Sequence, residues 1–493
     1  MKLPIATQPA HDWSADKHGM AYDNPQFWDA KNLGTELHRV FEICNGCRLC
    51  FNLCPSFDVL FKRIDALDPH AAEAEGMHLG GKEMVEEHDA AKALAHVEVS
   101  TESPVSLLQA ADNQRVIDLC YECKLCYPKC PYVPPHEFAV DFPKLMLRAK
   151  MIRTKEEGLG FRERFLGATD LVGGLMTKIA PLANAAAHNQ FNRMLMEQTV
   201  GIHRDRELPD YADESFLTWW QRRAPVAPPA APTGDVALFA TCFTNYNDPE
   251  IGKAAVEVLE HAGCAVDCPE QVCCGMPKLD GGDLEGARKL ARKNIELLLP
   301  SVRAGKKILS PGPSCTLVLR TEYPELVPTP ESREVAAAVM DLGDFLLQQA
   351  RAKKLPKDFK APIGKVAFHV ACHNRVQNFG YRGRDLLKWA GAEVTLVDKC
   401  CGMDGTWGMK TEYFAESLKI AEGAARKVDA AEPDVVSADC PLAGLQIKQK
   451  TGRKAYHPVK ILRAAYLGEP LRSPAVRTNL PVPAPAPAEE KKQ

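Results

Sequence analysis

Eight of the chain's 18 cysteines stand in two short windows. The first reads Cys44-Asn-Gly-Cys47-Arg-Leu-Cys50-Phe-Asn-Leu-Cys54-Pro55, the second Cys120-Tyr-Glu-Cys123-Lys-Leu-Cys126-Tyr-Pro-Lys-Cys130-Pro131. Both follow C-x2-C-x2-C-x3-C-P. Two-residue spacers let one tight loop aim three sulfurs inward, and the fourth cysteine, turned away ahead of a proline, reaches a second cluster. The spacing predicts two [4Fe–4S] clusters, one on Cys44, Cys47, Cys50 and Cys130 and the other on Cys120, Cys123, Cys126 and Cys54. A zinc site pairs two separated knuckles and has no use for three closely spaced cysteines in each run. Two cubanes in one domain lie close enough to exchange electrons, so the segment reads as a short wire.

The remaining cysteines follow an internal repeat. Val236-Ala237-Leu238-Phe239-Ala240-Thr241-Cys242 returns 130 residues on as Val366-Ala367-Phe368-His369-Val370-Ala371-Cys372. Ala262-Gly263 returns as Ala390-Gly391, and Cys273-Cys274-Gly275 as Cys400-Cys401-Gly402, with a drift of only three residues. Cysteine is often a buried, inert residue, but vicinal pairs at equivalent repeat positions are hard to obtain that way. The glycine after each pair permits positive φ or a close backbone approach beside a bulky ligand. Cys264 and Cys268 have no counterpart in the second copy and read as core thiols.

These motifs need elements to hold them. Each copy opens with a short apolar run suited to a buried strand. An amphipathic helix and a second strand follow (265–267; 393–397), then a later helix (284–299; 412–427) and another strand (307–310; 434–438). Such alternation implies two small parallel α/β modules. The expected organisation is an arm (1–36), a ferredoxin-type two-cluster helical domain (37–150) with a charged insert (56–115), a helical connector (151–223), a Pro/Ala linker (224–233), module 1 (234–350), module 2 (361–470) and a disordered tail (471–493). The fold class is therefore α+β joined to α/β. His70, His78, His88 and His96 fall in the insert and read as solvated. In the connector, Phe161, Phe165, Leu171, Leu175 and Ile179 recur at near-helical spacing. That stripe either packs on the protein's own core or lies in an interface.

Composition narrows the functional classes. Lys and Arg number 61 against 64 Asp and Glu, a formal charge of −3, so no global field draws nucleic acid. The longest apolar stretch, 171–187, is broken by Lys178, Pro181 and Asn184 and would not span a bilayer. No basic start, apolar run and small-residue cleavage site opens the chain, so a reducing, cytoplasmic setting is expected, in which clustered cysteines bind metal more often than they pair. No P-loop, G-x-G-x-x-G or G-x-S-x-G appears, which leaves nucleotide binding and serine hydrolysis without support.

The order of windows and repeats resembles the iron–sulfur proteins with paired cysteine-rich "CCG" domains. That family includes heterodisulfide reductase and the iron–sulfur subunits of glycolate oxidation, lactate oxidation and anaerobic glycerol-3-phosphate dehydrogenase systems. The chain resembles the glycerol-3-phosphate group in particular at Phe142-Pro-Lys-Leu-Met-Leu-Arg-Ala-Lys150, in the helical segment 162–196, and at Gly-Pro-Ser-Cys315 followed by Glu322-Tyr323-Pro324-Glu325-Leu326. The resemblance implies one further iron–sulfur site on Cys242, Cys273, Cys274 and Cys315, and another on Cys372, Cys400, Cys401 and Cys440. It also places His373 and His457 beside a site, as candidates for proton relay. One departure stands out. Where heterodisulfide reductases carry a terminal Cys-x-x-Cys, this chain has Gly312 ahead of Cys315 and Ala443 after Cys440, so each module keeps four cysteines of the family pattern. The implied function is an electron-transfer subunit that takes electrons from a flavoprotein dehydrogenase and passes them toward quinone, with peripheral contact at the cytoplasmic face of the inner membrane. The alternatives are a redox relay in a peroxide or thiol system and a heterodisulfide reductase-like enzyme.

Overall fold

The computed structural model of the chain describes residues 21–68, 103–224, 226 and 232–475. The four histidines of the insert, most of the linker, the first 20 residues and the tail beyond residue 475 lie outside the described residues.

The first helix runs Ala30–Cys47, so it begins inside the span expected as an arm. Asp29 caps it, its carboxylate accepting the Asn32 N–H at 2.6 Å, and Arg48 ends it in the left-handed region. The last turn thus delivers Cys44 and Cys47. Pro55 sits at the first position of the Pro55–Leu67 helix, where its missing N–H costs nothing. The edges of the expected insert are also helical. Ser56 donates to the Val116 carbonyl at 2.8 Å and ties Pro55–Leu67 to the Ala110–Leu119 helix. Phe41, Phe57, Phe61 and Phe142 fill the core between these helices and the Phe142–Glu157 helix.

The connector is a chain of short helices, Phe161–Gly167, Thr169–Lys178, Ala180–His188 and Gln190–Val200, followed by an extended segment and Phe216–Arg222. Its small residues face the modules. A Cβ at Gly173 would collide with the Tyr246 ring. The apolar stripe points the other way, with Leu171 75% and Phe161 68% exposed. Of the two readings of that stripe, packing on the protein's own core is the one the structure excludes. No helix among the described residues is long and apolar enough to cross a membrane.

Two four-stranded sheets follow, in the orders β2-β1-β3-β4 and β6-β5-β7-β8, with every neighbouring pair parallel. Module 1 holds β1 (Asp235–Leu238), β2 (Ala265–Asp267), β3 (Lys307–Ser310) and β4 (Val339–Asp341). Module 2 holds β5 (Lys365–His369), β6 (Glu393–Val397), β7 (Val435–Ala438) and β8 (Ala455–Tyr456). The repeat in sequence is a repeat in topology, and the fold is the α+β and α/β combination expected. The central strands read as continuous apolar runs because helices cover both faces of a parallel sheet. The modules meet reciprocally. Pro249–His261 of module 1 packs on Pro458–Leu467 of module 2, and Leu342–Arg351 of module 1 packs on Arg382–Trp389 of module 2. Leu259, Leu346, Leu387 and Leu462 share the resulting core. Arg463–Glu257 (2.7 Å) and Arg382–Asp344 (2.8 Å) rim it.

Candidate cysteine centres

All the cysteines are free thiols, and sixteen of them fall into four groups. In the first, burial and then Cys130, Cys50 and Cys47 hold the Cys44 thiol well above its ordinary range. In the second, burial and then Cys123, Cys120 and Cys54 do the same to Cys126. Cys130 therefore stands with the first window and Cys54 with the second. The loops bend sharply enough to put Arg48, Glu122 and Lys124 at positive φ. The Tyr132 N–H donates to Cys130 Sγ at 3.4 Å. Lys150 ties the second loop down by donating to the Cys120 carbonyl (2.6 Å) and to Glu122 (3.0 Å), and Lys124 pairs with buried Glu322. Four soft thiol donors per group, with N–H groups aimed at sulfur, fit an iron–sulfur cluster.

Each module gathers its own four cysteines at the C-terminal edge of its sheet, the place where parallel α/β sheets present ligands. In module 1, Cys242 follows β1, Cys273 and Cys274 follow β2, and Cys315 follows β3. Their thiols are neighbours, Cys242 beside Cys273, and Cys274 beside both Cys273 and Cys315. The Cys242 bond, followed by that from Cys274, holds Cys273 well below the ordinary thiol range. Module 2 places Cys372, Cys400, Cys401 and Cys440 identically along its chain. There the Cys372 bond, with the Gly402 N–H and Tyr121, lowers Cys400 to about 6 against the opposing effect of burial. The two glycines act alike. Gly275 and Gly402 have φ +94 and +70, and their N–H groups donate to Cys273 Sγ (3.4 Å) and Cys400 Sγ (3.3 Å).

Gly312 and Ala443 border the same groups. A Cβ on Gly312 would lie 3.7 Å from Cys315 Sγ, and Ala443 is buried beside Cys401 and Cys440. Cys264 and Cys268 belong to neither group. Cys264 packs in the core against Thr233, and Cys268 faces the Leu238 carbonyl at 3.5 Å. No three His, Cys, Asp or Glu side chains among the described residues converge as tightly as a single metal ion requires. In a cubane, by contrast, each thiolate meets its own iron.

The groups adjoin one another. The hydroxyl of Tyr121, the residue after Cys120, lies 3.6 Å from Cys400 Sγ, and Trp407 stacks on Tyr413 and meets the Tyr121 ring at a tilt. His373 sits where three parts meet, bonded to Ser314 Oγ of module 1 (2.8 Å) and to the Glu122 carbonyl of the second window (3.2 Å). His457 bonds the Pro311 carbonyl (3.0 Å) and accepts the Val459 N–H. Burial lowers both imidazoles to about 4. They are neutral at pH 7 with both ring nitrogens engaged, and they serve as placed to pin module 2 to module 1. Proton relay through either ring requires breaking one of these bonds.

Several residues at the sites carried no signal in the sequence. Asp170, from the connector, accepts the Cys273 N–H at 2.5 Å, and burial pushes its carboxyl up to about 6. Asn294 bonds both Val272 and Cys273 and touches the Tyr323 hydroxyl. Arg206 lies beneath module 2. Each reaches its partner across 21 to 243 residues of chain, beyond any local pattern.

Comparison with known proteins follows this layout. Residues 236–320 and 366–448 each match the model of the cysteine-rich CCG domain, and residues 37–156 match the Fer4-like domain of citrate utilization protein B. The chain is 31% identical over 328 residues to the C subunit of anaerobic glycerol-3-phosphate dehydrogenase from Escherichia coli (strain K12), covering 64% of this chain and 80% of that protein. It is 30% identical over 242 residues to lactate utilization protein A of Bacillus licheniformis, covering 47% of this chain and 97% of that protein. Lactate utilization protein A of Bacillus subtilis (strain 168) matches at 30% over 241 residues, covering 47% of this chain and 97% of that protein.

Proposed function

The chain belongs to the family of iron–sulfur proteins with paired CCG cysteine-rich domains, and we propose that it is the iron–sulfur electron-transfer subunit of a dehydrogenase complex. Its Fer4-like and cysteine-rich domains indicate iron–sulfur clusters. In our reading the windows hold two [4Fe–4S] clusters on the crossed cysteine sets, and each module holds one further cluster on its four cysteines. Such clusters move single electrons, whereas oxidising an alcohol removes two electrons and usually a hydride, which calls for flavin or nicotinamide. A flavoprotein partner therefore oxidises the metabolite. By likeness to the Escherichia coli relative, glycerol 3-phosphate is the first candidate, with a small hydroxy acid second.

The observation that carries the proposal is the abutment of the second window on module 2, with Tyr121 between Cys120 and Cys400. It supports reading the groups as successive stations on one path, and in our proposal that path leads toward quinone. Gly312 and Ala443 leave four cysteines of the family pattern per module, which disfavours heterodisulfide cleavage. The exposed row of Leu171, Leu175, Leu182, Phe191 and Leu195 supports peripheral seating on a membrane surface, where a quinone would be found.

The deciding assay mixes the purified chain, glycerol 3-phosphate or glycolate, and a quinone analogue, with and without the flavoprotein that copurifies with it. Quinone reduction should need both proteins. Substrate-dependent reduction by this chain alone, free of flavin, would sink the proposal.

A further inference from the structure

The connector touches both cysteine pairs, and it brings a different chemistry to each. To module 1 it presents Asp170, an oxygen acceptor on the Cys273 N–H. To module 2 it presents Arg206. The segment bearing Arg206 is laced to the loop that follows Gly402: Ile202 bridges Lys410, His203 N–H donates to the Met409 carbonyl (3.0 Å), and Thr411 N–H donates to the Gly201 carbonyl (2.9 Å).

Arg206 is only 2% exposed, and its guanidinium meets neutral groups. It donates to Gln446 and Gln449, the latter at 2.9 Å, and to Ser417 Oγ at 2.9 Å. Ser417 in turn donates to the Gly402 carbonyl at 2.6 Å. The Phe414 ring covers the guanidinium at 4.6 Å. Nε has no partner, and among the described residues no carboxylate stands within ion-pair distance. Guanidinium does not lose its proton in proteins. A buried, unneutralised cation is costly, and the charge that offsets its burial is that of the Cys401 thiol when ionised. Among the described residues, module 1 has no counterpart of Arg206 at its cysteine pair. Ala287 occupies the place of Ser417 one repeat earlier, each facing the glycine of its own Cys-Cys-Gly.

We propose that Arg206 is a positioning residue that makes the module 2 centre the better electron acceptor of the two CCG centres. The proposal rests on the reading that module 2 holds an iron–sulfur centre. An added electron increases the negative charge there, and in a medium of low dielectric a fixed cation with no carboxylate partner stabilises that charge. The electron comes from the preceding iron–sulfur centre, which is oxidised by one electron as the module 2 centre is reduced by one. The connector thereby sets the direction of transfer, toward module 2.

The test is an anaerobic redox titration of the whole cluster-loaded chain, followed by electron paramagnetic resonance. The module 2 signal is the one absent in Cys401→Ser. Arg206→Gln should shift its reduction equilibrium at least tenfold toward the oxidised form, 59 mV for a one-electron couple. Arg206→Lys should keep most of the wild-type value, and the other centres should not move. Gln446→Glu is a second, nearly isosteric variant that neutralises Arg206 without removing it, and it should shift the same signal in the same direction. It keeps the question open to measurement where Arg206→Gln fails to assemble. An unmoved signal in Gln446→Glu, or equal shifts in the Gln and Lys variants of Arg206, overturns the role of Arg206 while module 2 keeps its centre. If Cys401→Ser removes no signal and no iron, the premise itself fails, and the proposal with it.

Discussion

Module 1 steadies its cysteine pair with Asn294, which bonds the backbone of Val272 and Cys273. Module 2 has Ala424 at that place, 130 residues on, and steadies its pair through Ser417, Gln446 and Arg206. Sheet order, cysteine positions and the left-handed glycine are common to both. What differs is the second layer, the groups that hold and charge the cysteine loops. The comparison teaches that the repeat preserves the ligand frame while the packing beneath it is free to diverge, and outer groups are what tune a metal centre.

The largest effect should come from removing the frame itself. Replacing Cys273 and Cys274 by Ser, or Cys400 and Cys401 by Ser, should each cost one cluster's iron, about four atoms per chain, and leave about eight in the windows. Iron and acid-labile sulfide analysis reads this directly. A double variant that loses no iron would mean that its module carries no cluster and that the two are not equivalent.

The glycines should separate next. A Cβ at Gly402 would overlap the Ser417 carbonyl oxygen, a backbone atom, whereas at Gly275 the nearest atoms are 3.6 Å away. Gly275→Ala should therefore cost about 1 kcal/mol for the left-handed backbone, and Gly402→Ala about 3 kcal/mol or more. Thermal unfolding under anaerobic conditions compares them, and equal losses would contradict the contact at Gly402.

The supporting residues should follow. Asn294→Ala strands buried polar groups of Val272 and Cys273 and should cost about 2–3 kcal/mol. Ser417→Ala, which frees the Gly402 carbonyl and one arm of Arg206, should cost about 1–2 kcal/mol.

The smallest difference is in acid response. Module 2 buries His369, His373 and His457, all lowered to about 4 by burial, whereas among the described residues module 1 contains only the half-exposed His261. A folded-state value below the ordinary 6.5 means that the unfolded chain binds the extra proton first. Stability therefore falls as pH drops from about 6.5 toward 4. His457→Asn should flatten that slope by about 1.4 kcal/mol per pH unit. An unchanged slope would show that His457 does not remain neutral in the folded protein.

Much of this was legible in the residues. Cysteine spacing implied which thiols stand together, because a two-residue spacer and a following proline constrain where each sulfur can point. The offset between copies implied two parallel modules, because an apolar run, a helix and a second run return in order. β4 and β8, three and two residues long, are too short to leave a pattern. Asp29 as a helix cap is a local signal that shows why the first helix reaches back to Ala30.

By itself, then, the sequence determined the two cysteine windows, the repeat and the absence of a dinucleotide motif, all properties of spacing along the chain, while the cysteine sets of the modules came from resemblance. Only the tertiary structure decided that the connector's apolar stripe faces outward, that His373 and His457 are neutral pins between modules, and that Asp170 and Arg206 lie under opposite cysteine pairs. Those outcomes depend on burial and on partners up to 251 residues away. Desolvation and charge act through space, and no local pattern carries them.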